Sequence, residues 1–367
     1  MSWQQQRDRF TPETPLAEAS TPPSSWYIDD DFAAAEGRLV FGRHWQPIAR
    51  KEQLAQRGSY VTAEFAGQPI VAVRGDDGVL RAFFNVCRHH AACVMKGHGR
   101  AEALVCPYHG WQYRLDGSLL KAPRLGAVRS FARDDYGLRP LEIDSWGPWV
   151  FIRSAPGPID LAEMMRPLDE RLDTEELEFF ERRTYEIECN WKVFVDNYLD
   201  GGYHVAHLHR GLAAQLALDD YRLEVFDWLS IQSCKSADTA QSDPSGQDFQ
   251  ARVGQEALYA WVHPGFMINR YGPFMDTNYA LPISPNRCLT IFDYYVEKSA
   301  GASQDFLRRS LAASEQVQNE DIEICGSVQR GLNSSGYDVG RYSVQHEAGA
   351  LHFHRLLHRD LSTEPPP

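Results

Sequence analysis

From about Trp45 the chain alternates apolar and polar positions with a period of two. Tyr60 to Phe65, Ile70 to Arg74 and Leu80 to Asn85 are short β-branched or aromatic runs, the pattern that suits a pleated strand with one buried face. Ala66-Gly67-Gln68-Pro69 and Asp76-Asp77-Gly78 separate them as turns, and Asp116-Gly117 separates Trp111–Leu115 from Ser118–Lys121. Residues 45–144 therefore read as a small all-β domain of hairpins. After Trp146-Gly147-Pro148-Trp149 the period changes. Leu161 to Leu172 and Trp191 to Leu199 are helix-forming, Ala257–Trp261, Met267–Tyr271 and Cys288–Val296 read as strands, and Ser303 to about Val328 is a long helical run. The expected fold is α+β: the small β domain precedes a larger α+β domain, residues 145–360, with an antiparallel sheet and covering helices. Residues 1–44 would be an N-terminal arm, loose over 1–25, plus part of the larger domain. Ser233 to Gln250 reads as an exposed loop, and 361–367, ending in three prolines, as a disordered tail.

Composition narrows the class. At 367 residues the chain has length for about two domains. Its 43% hydrophobic and 24% charged residues are ordinary for a globular protein. The opening MSWQQQRDRFTPET lacks the apolar core of a signal peptide, and no apolar stretch approaches the roughly 18 to 20 residues of a membrane helix, so a cytoplasmic location is expected. A net charge of −13 without Lys/Arg clusters disfavours nucleic acid. The seven cysteines are an odd, scattered set, which argues against a secreted disulfide framework and for thiolate–metal chemistry.

Two groups of residues carry that chemistry. Cys87-Arg88-His89 and Cys106-Pro107-Tyr108-His109 supply two thiolates and two imidazoles. A structural Cys2His2 zinc site would use such donors, but each segment mixes one Cys with one His, as a Rieske [2Fe-2S] centre needs when Cys holds one iron and His the other. Further on, Asn190 is a suitable N-cap for a helix towards Leu199, Gly201-Gly202 permits a break, and His204, His207 and His209 follow at once. On an unbroken helix His204 and His207 would share a face, whereas His204 and His209 would lie about 140° apart.

The segment Cys87-x-His89 with Cys106-Pro107-Tyr108-His109-Gly110-Trp111 resembles the signature of Rieske oxygenases, over about Trp45 to Leu119. Where many members have Arg-Gly after the first histidine, this chain has His90-Ala91; His90 reads as a neighbour of the cluster and Cys93 as a packed residue. The resemblance implies that Cys87, His89, Cys106 and His109 hold the cluster. It also implies that His204 and His209 bind a mononuclear Fe(II) with Asp321 of the late helix, leaving His207 as a supporting or core residue. Glu315, Glu320 and Glu323 then read as a solvated acidic face. A carboxylate before the first iron histidine bridges the two metals in the family; Asp200 is the expected residue and Asp196 the reserve. Because that bridge joins neighbouring protomers, a homotrimer is implied. The chain has no Gly-x-Gly-x-x-Gly unit after a strand. Electrons are therefore expected from a separate NAD(P)H-dependent reductase or a ferredoxin.

Nearly the whole chain after residue 30 resembles the choline monooxygenases and their relatives acting on quaternary ammonium compounds. Arg270-Tyr271-Gly272-Pro273-Phe274-Met275, Asp293-Tyr294-Tyr295 and Gly340-Arg341-Tyr342 carry that character. A trimethylammonium group donates no hydrogen bond, so aromatic faces must recognise it. Trp261, Phe266, Tyr271, Phe274, Tyr279 and Tyr294 are the candidates. The expected reaction is monooxygenation of a small quaternary ammonium or N-methylated compound, by choline-like hydroxylation or betaine-type N-demethylation. Hydroxylation of an aromatic ring is the alternative, and an electron carrier without a working oxygenase site is the alternative of another class.

Overall fold

The computed structural model describes residues 1–65, 67–214, 216–237 and 256–363. The chain divides into two compact units, one formed by Phe41–Glu175 and one by Met1–Val40 with the chain from Glu176 onward.

In the Phe41–Glu175 unit the alternating runs become strands β1 (Gln46–Arg50), β2 (Ser59–Phe65), β3 (Gln68–Arg74), β4 (Leu80–Phe84), β5 (His98–Arg100), β6 (Leu104–Val105), β7 (Gln112–Tyr113), β8 (Leu119–Lys121), β9 (Pro140–Trp146) and β10 (Trp149–Arg153). Seven form an antiparallel sheet in the order β1-β10-β9-β4-β3-β2-β5, and β6-β7-β8 form a small second sheet. Val71, Val73 and Phe83 of the first sheet pack with Leu104, Trp111, Tyr113 and Leu119 around the second, and Cys87 and Cys106 belong to this same core.

The other unit is built on a seven-stranded antiparallel sheet of β11 (Leu177–Ile187), β12 (Arg222–Val225), β13 (Leu229–Lys235), β14 (Glu256–Val262), β15 (Phe266–Tyr271), β16 (Phe274–Ser284) and β17 (Arg287–Glu297). Their order is β11-β17-β16-β15-β14-β13-β12. Register aligns one row across five strands: Gln232, Tyr259, Asn269, Asp276 and Tyr294 are successive partners. Directly opposed residues point to the same face, so the sheet presents a polar and aromatic row. The helix Gln304–Leu332 buries a stripe through Leu307, Leu311, Ser314, Gln318, Cys325 and Gln329, the 3.6-residue periodicity of a packed face. Its N-cap Ser303 accepts from the Phe306 N–H.

Several expectations change. The first 25 residues are not a loose arm: Ser2 and Gln5 form a capping box on the helix Trp3–Arg7. Arg355 of the helix Ala348–Leu361 donates to the carbonyls of Pro12 (2.7 Å) and Thr14 (2.9 Å), and Arg341 to those of Ala17 and Ala19. Arginine forks hold a chain that lacks apolar periodicity, so hydropathy alone misreads it. Cys93 is exposed rather than packed, whereas Cys189, Cys234, Cys288 and Cys325 are buried and free. The loop expected over 233–250 and the tail over 361–367 lie in part outside the described residues. Within their described parts, β13 runs to Lys235 and Leu361 is a buried helix residue. No described helix is long and apolar enough to cross a membrane.

Candidate metal centres and active-site cavity

The two Cys-x-His segments are tight loops. Cys87 N–H donates to the Ala92 carbonyl and Ala91 N–H back to that of Cys87, while Cys106 N–H donates to Trp111 and Gly110 N–H back to Cys106. These reciprocal bonds hold each loop tip rigid. Cys87 and Cys106 are buried, and the Tyr113 hydroxyl lies 3.3 Å from the Cys87 sulfur while accepting from Arg88 N–H. Burial, with Cys87 alongside, raises the Cys106 thiol; a metal would convert it to thiolate. His89 and His109 lie on the outer side with ring centroids 4.7 Å apart, and His89 stacks on Trp111 at 4.9 Å. His90 is exposed beside His89. Sulfur donors thus pair inside and imidazoles outside. The buried Nδ1 of His89 has no partner among the described residues, as expected of an atom that awaits a metal. This segregation fits a [2Fe-2S] cluster with two Cys on one iron and two His on the other better than one tetrahedral ion, which mixes its donors.

The second centre forms where the helix Trp191–Tyr198 ends. Asn190 caps that helix by accepting from Lys192 N–H. Gly201 and Gly202 then take φ of +66° and +73°, and a Cβ on Gly201 would sit 2.3 Å from the His346 carbonyl, so only glycine fits there. The next helix, Val205–Leu208, is a single turn flanked by His204 and His209. His209 leaves the helical path, which removes the 140° separation and puts the two rings 4.9 Å apart.

The donor atoms of His204, His209 and Asp321 all lie within 4.8 Å of one another. Asp321 Oδ1 is 3.0 Å from His209 Nε2 and 3.9 Å from His204 Nε2, and accepts from the Asn197 amide at 2.8 Å. Each histidine is oriented from behind: His204 Nδ1–H donates to Asp200 Oδ2 and His209 Nδ1–H to Glu320 Oε2, both at 2.6 Å. Both Nε2 atoms therefore face Asp321, the carboxylate–histidine–metal arrangement. Burial works to lower the pKa of His209, but its bonds to Asp321 and Glu320 outweigh that and raise it. The pocket favours a positive charge. Two imidazoles and one carboxylate on one side are the donor set of non-haem Fe(II) oxygenases.

Glu320 is the residue that sequence reasoning misplaced: its carboxylate backs His209 instead of facing only solvent. Adjacent helix positions point about 100° apart, so nothing in the sequence pairs it with Asp321. His207 is exposed, neither core nor a support for the centre. Asp196 does not contact the triad in the bonds it makes; it accepts from the Tyr27 hydroxyl at 2.7 Å and pairs with His354. Glu320→Gln is expected to weaken iron binding 10- to 100-fold in a metal titration; wild-type affinity would show that Glu320 does not orient His209.

A cavity opens beside the triad, between the sheet row and the helix Gln304–Leu332. Tyr198, Tyr221, Tyr259 and Tyr271 line it with Asp276 and Gln318. Of the six aromatics expected, only Tyr271 is on its wall. Phe266 and Tyr279 are cross-strand partners on strand positions of opposite parity to Asn269 and Asp276, hence on the other face of the sheet. Trp261 donates its indole N–H to Pro264, Phe274 packs on Phe306, and Tyr294 meets the Ser314 hydroxyl at 3.1 Å.

Comparison with known proteins agrees with this layout. Residues 44–132 match the Rieske [2Fe-2S] domain model, and residues 174–363 that of the ring hydroxylating alpha subunit (catalytic domain). The chain is 43% identical to the chloroplastic choline monooxygenase of Arabidopsis thaliana, over 96% of this chain and 85% of that protein. This chain belongs to the Rieske non-haem iron oxygenases. It is also 31% identical to the carnitine monooxygenase oxygenase subunit of Escherichia coli strain K12, over 93% of each. A solved quaternary ammonium Rieske monooxygenase, described in connection with carnitine oxidation and inter-subunit electron transfer, matches with a TM-score of 0.82 at 28% identity, over 94% of this chain and 96% of that one. The oxygenase is accordingly an oxygen-incorporating oxidoreductase whose cofactors are a Rieske cluster and a mononuclear iron.

Proposed function

We propose that this oxygenase hydroxylates a small quaternary ammonium compound, with choline-type alcohols preferred. The carrying observation is the cavity wall. Tyr259 and Tyr271 meet at 82° with centroids 5.6 Å apart, and Tyr198 stands at 77° to Tyr259. Rings at right angles present faces on several sides, which attract a cation that cannot donate hydrogen bonds. Burial holds the Tyr198, Tyr221 and Tyr259 phenols well above their ordinary pKa, so the rings stay neutral. Asp276, 3% exposed and accepting from the Asn269 amide at 2.7 Å, places a carboxyl group on the same wall. A buried carboxylate suits a cationic substrate and disfavours a neutral aromatic ring, and the relatives named for choline and carnitine support the same reading.

In this reading Cys87, His89, Cys106 and His109 hold the cluster, which carries single electrons at a potential of roughly −150 to +300 mV. His204, His209 and Asp321 hold the iron, which when bound supplies the oxygen-activating chemistry. Asp200 fixes His204 and is the link to a cluster histidine of a neighbouring protomer in a homotrimer; the inter-subunit transfer described for the related structure supports this. A separate NAD(P)H-dependent reductase or ferredoxin supplies the electrons, and the protein works in the cytoplasm. Residues 45–144 together with β10 serve as the Rieske domain, and the unit of Met1–Val40 and the chain from Glu176 onward serves as the catalytic domain.

Choline and its neutral carbon isostere, 3,3-dimethylbutanol, differ only in charge. Calorimetry should show choline binding about 30-fold tighter, as expected for about 2 kcal/mol of desolvated cation–π attraction, and Asp276→Asn should narrow the gap. Equal affinities would rule out a cation site.

A further inference from the structure

We infer that the Gln318 amide binds the substrate's own oxygen atom and thereby decides which carbon is hydroxylated; this rests on the quaternary ammonium reading and extends it to the position of attack. Gln318 lies on the buried stripe of the helix Gln304–Leu332. Other polar members of that stripe are satisfied within the protein: the Ser314 hydroxyl meets Tyr294, and Gln329 accepts from Asn190 N–H at 2.7 Å while donating to Asn286 at 2.8 Å. Gln318 is 3% exposed and lines the cavity, yet its Nε2 is buried with no hydrogen-bond partner among the described residues. A buried amide N–H that faces a cavity is a ready donor to an oxygen atom that enters it.

Position identifies that acceptor. Gln318 and Asp321 are three residues apart and share a helix face, so an oxygen held by Gln318 sits next to the iron donors. Tyr259 and Asp276 attract the cation from the sheet side of the same cavity. A substrate with a quaternary nitrogen at one end and a hydroxyl at the other fits both walls, with its carbinol carbon nearest the iron donors. Hydroxylation there breaks one C–H bond and forms one C–O bond. Dioxygen, two electrons from the reductase and two protons are consumed, the second oxygen leaves as water, and the geminal diol loses water to give an aldehyde. Reversed binding would place an N-methyl group there instead, and its hydroxylated product would release formaldehyde, a tertiary amine and a proton.

The test uses the holoprotein with choline and ethyltrimethylammonium, which lacks only the hydroxyl. For Gln318→Met, calorimetry should show choline binding about tenfold weaker, with ethyltrimethylammonium within twofold of wild type. During turnover the variant should shift choline from aldehyde towards formaldehyde. Equal losses for both compounds would mean that Gln318 only packs the helix and would overturn the assignment. The wild-type protein tests it without any substitution: removing the hydroxyl should weaken binding about tenfold, and equal binding would also overturn it. Binding of neither compound by wild type would instead remove the quaternary ammonium site itself.

Discussion

Asp321→Ala is expected to abolish turnover while leaving the visible spectrum of the cluster unchanged. Asp321 is the anionic member of the triad, with Oδ1 3.0 Å from His209 Nε2. Two neutral imidazoles alone hold Fe(II) poorly, because the carboxylate both completes the donor set and balances the cation's charge. The Asn197 amide, now 2.8 Å from Asp321, would lose its acceptor as well. The cluster ligands lie in the other compact unit, so their spectrum should not change when the iron ligand is lost. Iron should fall from about three per chain to about two. Retained iron together with retained turnover would show that the carboxylate ligand is elsewhere.

Lys192→Met is expected to destabilise the Met1–Val40/Glu176 unit by about 3–5 kcal/mol, because it leaves a buried carboxylate without its counter-charge. Lys192 Nζ lies 2.7 Å from Glu36 Oε1, with the side chains 0% and 1% exposed. Burial pushes Glu36 up and Lys192 down, and each partner opposes the other's shift. The Trp191 indole N–H also donates to Glu36 at 3.2 Å, and Lys192 lies over the rings of Tyr27 and Trp191. This cluster anchors the start of the helix that leads to Asn197 and Asp200, so lost stability and a loosened iron centre should appear together. Replacing both partners, Glu36→Leu with Lys192→Met, should recover most of the loss, since burying matched apolar groups is close to neutral. Denaturant midpoints check this; a single-variant loss under about 1 kcal/mol would mean that water reaches the pair.

What the sequence discloses depends on how local the information is. Hairpins were legible because turn residues sit between alternating runs, and β2, β3 and β4 fall where Tyr60–Phe65, Ile70–Arg74 and Leu80–Asn85 place them. The Asn190 cap and the Gly201-Gly202 break are equally local. The paired Cys/His segments point to the cluster ligands, but the iron donors His204, His209 and Asp321 come from the family resemblance, because helical periodicity alone pairs His204 with His207. The cavity was not legible. Which aromatics face it depends on the register of β14 to β17, and an offset of one residue exchanges the faces. Hence Phe266 and Tyr279, which composition favours equally, lie on the far face, while Tyr259 of the same sheet faces the cavity. Tyr198 and Tyr221 reach the cavity from outside the strands, which no period marks. The strand β11 carries no strand signal because charges crowd it: Glu-Phe-Phe-Glu-Arg-Arg-Thr-Tyr-Glu shows no apolar face. Glu320 and Gln318 gain their meaning only from contacts that are distant in sequence.

Single-turnover oxidation by the chemically reduced, iron-loaded protein tests the central claim most directly. Choline, betaines, carnitine and simple aromatics are each offered with dioxygen, and the products are read by mass spectrometry. The account predicts oxidation of choline to betaine aldehyde, two hydrogen atoms lighter than choline, or to its hydrate, one oxygen atom heavier, and no product from the aromatics. An aromatic diol, with every quaternary amine returned unchanged, would contradict it.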